Sequence, residues 1–499
     1  MLRRRLFANH WSQLFGEVAF YSFAFVLVSG VFLTFFYDPS VDRVIYDGSY
    51  TPLSGVEMSK ALESTLAISF DVQGGMLMRQ LHHWASLIMV AAILIHLAAA
   101  FFTGAFSKPR ELRWVVAFLI LVMTMAAGFT GAALPDDLLS NTSLVIMDGV
   151  MKSIPVVGTW ISALVFGGPF PGDVLAQFYP LHVIALPAVV LWLFVVAGVL
   201  ALVHKPAIMP RRGRESRGIP LRLAMARSGG RFFVVGAISL VVAATVTVNP
   251  IWNYGPADPG HASAGAGPLW YLAFLDGALR LVPPGWEFEL LGYTVTLAVL
   301  VPVGIVSLFL LALAVYPFLE AWITGDRRDR DILDRPRNAP TRTAIGVAGI
   351  LFYAVLWATA GADTIAVQFG LSIEATLWTM RVLVVAAPLV GFLVARRVCA
   401  ALQRKDADVV AHGFETGRIV RSPDGGYVEV HQPLEESERA RLADAEPQRA
   451  LVLRPDDDGR IRLAERLRVR LSRAFYGRER GGARDVSADP RALDQIRRP

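Results

Sequence analysis

Charge is scarce and cysteine almost absent in this 499-residue chain: Asp, Glu, Lys and Arg make up 18% of it, and Cys399 is its single cysteine. So little charge, with 54% hydrophobic residues and a mean hydropathy of +0.47, excludes a cytosolic enzyme. One cysteine excludes a disulfide framework and any zinc or iron-sulfur site built on thiolates. A metal would therefore be held by His or carboxylate, or arrive inside a cofactor. A cleavable leader is also missing. Met1-Leu2-Arg3-Arg4-Arg5 precedes about 20 apolar residues without a small-residue cleavage site, so the first apolar stretch reads as a retained span. The net charge of +6 would point to nucleic acid in a soluble protein. Here its placement matters more than its size, and no nucleic-acid partner is expected.

What the chain does have is long apolar runs. A bilayer core about 30 Å thick needs roughly 20 apolar residues in a helix. Eight segments reach that length: 17–37, 81–102, 114–134, 182–204, 232–249, 296–318, 342–361 and 377–396. Cytoplasmic loops retain Lys and Arg. With the N-terminus inside, the inner segments hold twenty of them and the outer segments five, namely Arg43, Lys60, Arg79, Lys152 and Arg280. The sequence thus predicts an all-α, multi-pass cell-membrane protein with both termini cytoplasmic. Two outer loops exceed mere turns. In 135–181 an apolar-rich stretch at 144–166 is expected to lie as one amphipathic helix on the outer surface, and 250–290 is rich in Pro, Trp and Tyr. From 399 the composition turns hydrophilic, which predicts a cytoplasmic tail, partly disordered near its end.

Histidine inside a hydrocarbon span is costly unless paired, so each one is a functional candidate. The second segment holds His82, His83 and His96. His82 and His96 are 14 residues apart, which brings them nearly onto one helix face about 21 Å apart along the axis. Each could bind a metal centre near one membrane surface. A haem iron takes two such ligands from opposing helices, and His182 opens the fourth segment. Gly16 and Gly30 repeat the 14-residue interval in the first segment, and Gly131 lies near the outer end of the third. A flat macrocycle wedged into a four-helix bundle needs such positions without a side chain.

The runs Asn9-His10-Trp11-Ser12 through Gly16-Glu17, Arg79-Gln80-Leu81-His82-His83-Trp84, Pro135-Asp136-Asp137-Leu138-Leu139, Ser153-Ile154-Pro155 and Asn249-Pro250-Ile251-Trp252 complete a pattern. With them the sequence resembles the cytochrome b subunit of respiratory cytochrome bc complexes, most closely the actinobacterial form, whose tail motif matches His412-Gly413-Phe414-Glu415-Thr416-Gly417. The resemblance implies an N-terminal haem-binding four-helix bundle (1–231), a C-terminal membrane region with an outer quinol-site loop (232–398) and a tail (399–499). It implies b haem as cofactor, menaquinol or another quinol as substrate, and a Rieske-type iron-sulfur subunit and a c-type cytochrome subunit as partners in a dimeric complex bathed in membrane lipid. His82 and His182 match the ligand pair of the outer haem, with Gly30 and Gly131 as its packing glycines and Arg79 as the arginine that meets a propionate. His96 and Gly16 match the inner haem, His204 an inner quinone contact, and Pro268, Trp270 and Tyr271 the quinol-oxidising motif.

Several positions depart from the family pattern. The second inner haem ligand would fall on Val196 or Ala197, the inner propionate arginine on Ala99 and the inner packing glycine on Ala117. The acid of the quinol motif is Leu269, Ala132 stands where a Tyr is usual and Ser143 where a small Gly often lines the pocket. Asp136 and Asp137 are conceivable substitutes for the acid, or solvated helix caps. His83 reads as a packing residue, His10 as a remote replacement ligand, His261, His412 and His431 as solvent-facing, and Cys399 as a small packing residue. The N-terminus is shorter than is usual in resembling proteins, so the expectation is either that part of the inner quinone pocket is missing or that the true start lies further upstream. Two readings follow. One is a quinol-cytochrome c reductase subunit with an eroded inner haem and quinol site. The other is a divergent single-haem paralogue with a structural, assembly or other redox role.

Overall fold

The computed structural model describes all residues except 1–5, 8–13, 206, 208–218, 259, 261–266, 268, 331, 443–449, 454–461 and 477–499. The chain opens with strand β1 (Leu6–Phe7) and α1 (Leu14–Thr34), then the paired strands β2 (Arg43–Ile45) and β3 (Glu57–Ser59), α2 (Lys60–Phe70), α3 (Gly75–Thr103) and α4 (Glu111–Ala133). Next come α5 (Leu138–Lys152), α6 (Gly158–Phe166) and α7 (Val174–Pro180), which runs through a π turn at Leu181–Ala185 into α8 (Leu186–Val203). Strand β4 (Ile219–Pro220) pairs antiparallel with β1 and leads into α9 (Leu221–Thr245). The second half holds α10 (Ala273–Leu281), the hairpin β5 (Glu287–Leu290) and β6 (Tyr293–Thr296), α11 (Leu297–Thr324), α12 (Pro340–Ala360), α13 (Ala362–Phe369) and α14 (Ile373–His412). The tail adds the hairpin β7 (Phe414–Arg421) and β8 (Tyr427–Gln432), α15 (Glu436–Leu442) and α16 (Leu463–Tyr476).

Eight of these helices, counting α7–α8 as one, are long and apolar enough to cross a membrane. They agree in number and place with the eight segments read from sequence. The spans are apolar almost all round, so neighbours rather than amphipathic stripes decide which faces are buried. Helix α1 packs on α3, α4 on α8, α3 on α4, and α9 closes the outside of α1 and α3. Ala19, Phe23, Met89, Val90, Ile93, Leu97, Ile120, Val190 and Leu193 form the shared core. Val28, Trp192, Leu308 and Val385 remain exposed on the outside, as expected of lipid-facing positions. The second half centres on α12, packed on α10 and α14. It joins the first through the Trp114 indole, whose Nε1 donates to the Leu313 carbonyl at 2.9 Å. Within the second half, Arg342 of α12 forms a buried ion-pair cluster with Glu320 of α11 at 3.0 Å and Asp334 at 2.5 Å.

Three details differ from the sequence reading. The stretch 144–166 is not one helix but parts of α5 and α6, broken at Ser153–Val157. Pro155 disfavours helix for the residue before it, and Val156 takes a positive φ of 68°. The anticipated boundaries at 231/232 and 398/399 fall inside α9 and α14, so helix runs through both. The tail carries a hairpin and two helices, while the disorder expected near its end concerns residues outside those described.

Candidate functional site

At the end of the first four spans remote from Leu14, His82 of α3 faces His182 in the π turn between α7 and α8. Their ring centroids are 6.1 Å apart and their planes lie at 67°. The π turn lies between Pro180, which has no N–H to donate, and Pro187. Each imidazole rests in a cradle of the same design. The His82 Nδ1 lies 3.1 Å from the Val26 carbonyl and 3.2 Å from the Ser29 hydroxyl. The His182 Nδ1 lies 2.9 Å from the Ala127 carbonyl and 3.3 Å from the Thr130 hydroxyl. A carbonyl only accepts, so Nδ1 carries the proton in both rings, and the lone pair is left on Nε2. The carbonyls sit four residues before Gly30 and Gly131, and the hydroxyls sit one residue before them. Helices α1 and α4 therefore present matched Ser-Gly and Thr-Gly pairs to the two histidines.

The glycines are required by contact. A Cβ at Gly30 would lie 3.1 Å from the His82 Cε1, and one at Gly131 would overlap the His182 ring. Arg79, one turn before His82, donates from Nη2 to the Asn249 carbonyl at 2.7 Å and lies over the Trp252 ring at 5.8 Å. Gln80 clasps Val248 from both sides, at 2.8 Å and 3.1 Å. Asn249 takes a positive φ of 49°, which Asn tolerates, and turns the loop over the guanidinium. The Arg79 Nη1 is buried without a hydrogen-bond partner among the described residues, a geometry that calls for an anion.

These residues fit a haem. Two imidazole nitrogens each about 2 Å from a metal set their ring centroids about 6 Å apart. The fixed Nδ1 tautomers leave both Nε2 atoms available, the glycines leave room for a flat ring, and the unpaired guanidinium suits a carboxylate.

The half of the bundle nearer Leu14 offers one such side. His96 lies against Gly16, with its ring 3.4 Å from where a Cβ would stand, as His82 lies against Gly30. On α8, Val196 and Ala197 pack with Ala117 of α4 against the hydrophobic core. Phe194, one turn outward, bridges to α1 through Phe20 and Phe23 at 5.4 and 5.5 Å between centroids. Hydrocarbon cannot ligate iron, so the α8 positions expected to supply the second ligand do not fit an inner haem. His204 caps α8, its backbone N–H bonding to Leu200 at 3.0 Å. A groove of about 550 Å³ is lined by Leu14, Val18, Ile88, Arg227, Arg231 and Val234 among others, and His204 is not part of that lining.

In the loop before α10, Trp270 and Tyr271 meet edge to face at 5.6 Å. Tyr271 is buried with its hydroxyl against Gly128 of α4, and burial pushes its phenol above the ordinary range. Leu269 packs on the central core, while Pro268 and His261 lie outside the described residues, as does His10. Asp137 caps α5, accepting from the Ser140 N–H at 3.0 Å, and its other oxygen is buried without a partner among the described residues. Burial raises the carboxyls of both Asp136 and Asp137. His431, expected to face solvent, is half-buried beside the exposed His412, and Cys399 is buried as a packing residue. Sequence reading missed Ser29, Thr130 and the carbonyls of Val26 and Ala127. The hydroxyl-glycine pairs at 29–30 and 130–131 were their signal.

The fold and this site define a polytopic helical membrane protein with two histidines opposed inside a four-helix bundle. Residues 87–256 match the family model described as Cytochrome b(N-terminal)/b6/petB. The cytochrome bc1 complex cytochrome b subunit of Streptomyces coelicolor is 46% identical over 95% of this chain and 89% of its own length. The protein of that description from Mycobacterium tuberculosis is 44% identical over 87% of this chain and 80% of its own. A solved chain titled Hyperthermophilic respiratory Complex III shares the fold, with a TM-score of 0.58 and 19% identity over 79% of this chain and 93% of that one. The chain belongs to the cytochrome b family, among the cytochrome b subunits of bc1 complexes.

Proposed function

We propose that this chain serves as the membrane subunit through which a quinol-cytochrome c reductase takes electrons from quinol, and that it binds one b haem, between His82 and His182. The observation that carries this reading is the doubled cradle, in which two opposed imidazoles are each held by a backbone carbonyl and a glycine. Bound there, haem supplies one-electron chemistry, and the protein supplies orientation and electrostatics. Val26 and Ala127 fix the tautomers, Gly30 and Gly131 keep the faces open, and Arg79 offers its unpaired Nη1 to a propionate. Trp270 and Tyr271 wall the adjoining quinol site. Leu269 cannot take a proton from quinol there, and a positioned base is worth about two to four orders of magnitude in rate, so this copy oxidises quinol slowly. Asp137, buried with one oxygen lacking a hydrogen-bond partner among the described residues, is one of the two carboxyls named above as a substitute.

The single-haem form is favoured over a two-haem subunit by one observation, the hydrocarbon of Val196 and Ala197 at the α8 positions where the resemblance calls for the second inner ligand. Homology to bc1 subunits supports a Rieske-type iron-sulfur partner, a c-type cytochrome partner and a dimer, with menaquinol or another quinol as donor. The distribution of Lys and Arg supports cytoplasmic termini. The test is quinol-driven reduction of the b centre in the assembled complex. Reduction of one b-type centre, lost in His82→Ala and in His182→Ala, is expected. A b-type spectrum that survives either substitution refutes the assignment.

A further inference from the structure

The tail helix α16 has two unlike faces. Val469 and Ser472 are buried, and the helix is bolted to the ends of three spans. Arg468 Nε donates to the Trp322 carbonyl of α11 at 2.7 Å, the Thr341 hydroxyl of α12 donates to the Phe475 carbonyl, and Arg396 of α14 donates to the Ala474 carbonyl at 3.1 Å. A further bond, from the Leu451 N–H to Ser472 Oγ at 3.0 Å, secures it from the tail. At 3.6 residues per turn, Leu463, Leu467, Leu471 and Ala474 fall in a stripe about 80° wide on the opposite side. That stripe is open: Leu463 is 83% exposed and Leu467 53%. Arg466, Arg470 and Arg473, all exposed, flank one edge of it, and Glu465 is the helix's single acid.

An apolar stripe bordered by arginines, on a helix fixed where spans leave the hydrocarbon, has the chemistry of an interfacial helix on an anionic leaflet. We propose that α16 is a membrane-surface anchor that docks on anionic phospholipid through Leu463, Leu467 and Leu471, with Arg466, Arg470 and Arg473 over the headgroups. Its position supports lipid over a protein partner. Trp322, whose carbonyl holds Arg468, is itself 41% exposed at the end of α11, and membrane interfaces favour tryptophan. The cationic edge is opposite in sign to the leaflet. This inference does not depend on how many haems the bundle holds.

The experiment uses the full-length protein in nanodiscs of phosphatidylcholine alone or of equal phosphatidylcholine and phosphatidylglycerol, with hydrogen exchange read at residues 463–476. Anionic discs should slow exchange, by about fivefold for each arginine engaged, and the difference should vanish in R466E/R470E and in L467E/L471E. Haem content unchanged in both variants shows that the bundle is intact. Equal exchange in the two lipids overturns the proposal. So does protection that follows added partner subunits rather than lipid charge, which would make the stripe a protein interface.

Discussion

Replacing Gly131 by Ala should displace haem while a glycine-to-alanine change elsewhere in the bundle does not. In α4 the added methyl would overlap the His182 imidazole, whose Nδ1 is already held by the Ala127 carbonyl at 2.9 Å, so the ring has little freedom to withdraw. Overpacking of this kind costs about 1–3 kcal/mol. If the cost falls on the ligated form, haem is held about 5- to 150-fold less tightly. Helix propensity acts in the other direction, because Ala is favoured over Gly by up to about 1 kcal/mol in a helix interior. Gly198 in α8 has no atom within 4 Å of its missing Cβ, so Gly198→Ala isolates that gain. Gly30→Ala, with its 3.1 Å contact, is the milder member of the series. Haem b per purified polypeptide, with the reduced-minus-oxidised spectrum, should fall in the order Gly198→Ala, Gly30→Ala, Gly131→Ala, the first matching the parent. Full haem and an unshifted spectrum in Gly131→Ala would refute the reasoning.

Arg342, 1% exposed, balances Glu320 and Asp334; Asp334 keeps Arg330 at 3.0 Å, but Arg342→Ala leaves the buried Glu320 carboxylate uncompensated and should cost about 3–5 kcal/mol, read as a lower thermal midpoint in detergent. Asp137→Ala should lose about 1 kcal/mol with the α5 cap while Asp137→Asn keeps most of it, read by the same midpoint. Burial alone would raise the Asp326 carboxyl, yet hydrogen bonds from Arg328 and Arg330 outweigh it and hold the group well below the usual carboxylate range. Its contribution is then present above the unfolded value near pH 4 and lost as pH falls further, so the midpoint difference between parent and Asp326→Asn should be largest near neutrality and close in acid. Ala197→His with Leu269→Glu should raise quinol oxidation in the assembled complex. No gain would mean that these two positions are not the limiting defects.

The spans were legible because a bilayer demands about 20 apolar residues and spares few charges, a constraint local to each segment. The outer site was legible in part. The interval of 14 residues between His82 and His96, repeated by Gly16 and Gly30, follows from helix pitch alone. That α8 faces α3 did not follow from pitch, because which span faces which is a tertiary fact; His182 stood out as the histidine opening the fourth segment, and the resemblance paired it with His82. The carbonyls of Val26 and Ala127 were invisible, since a backbone group leaves no mark in a sequence except through the glycine four residues on. The break at Ser153–Val157 was missed because hydropathy ran through it, although Pro155 argued against a single helix. The order in the tail was missed for a related reason. Composition marked it as hydrophilic, whereas α16 is fixed by contacts to Trp322, Thr341 and Arg396 that lie far away in the chain.

The central claim is that the bundle holds haem between His82 and His182 and that α8 presents Val196 and Ala197, not a ligand, where a second inner ligand is called for. Haem b per purified polypeptide, measured with a redox titration of the reduced spectrum, tests it most directly. One haem and one titrating b centre per chain are predicted. Two haems, or two resolved b centres, would contradict the account by requiring a ligand where α8 presents Val196 and Ala197.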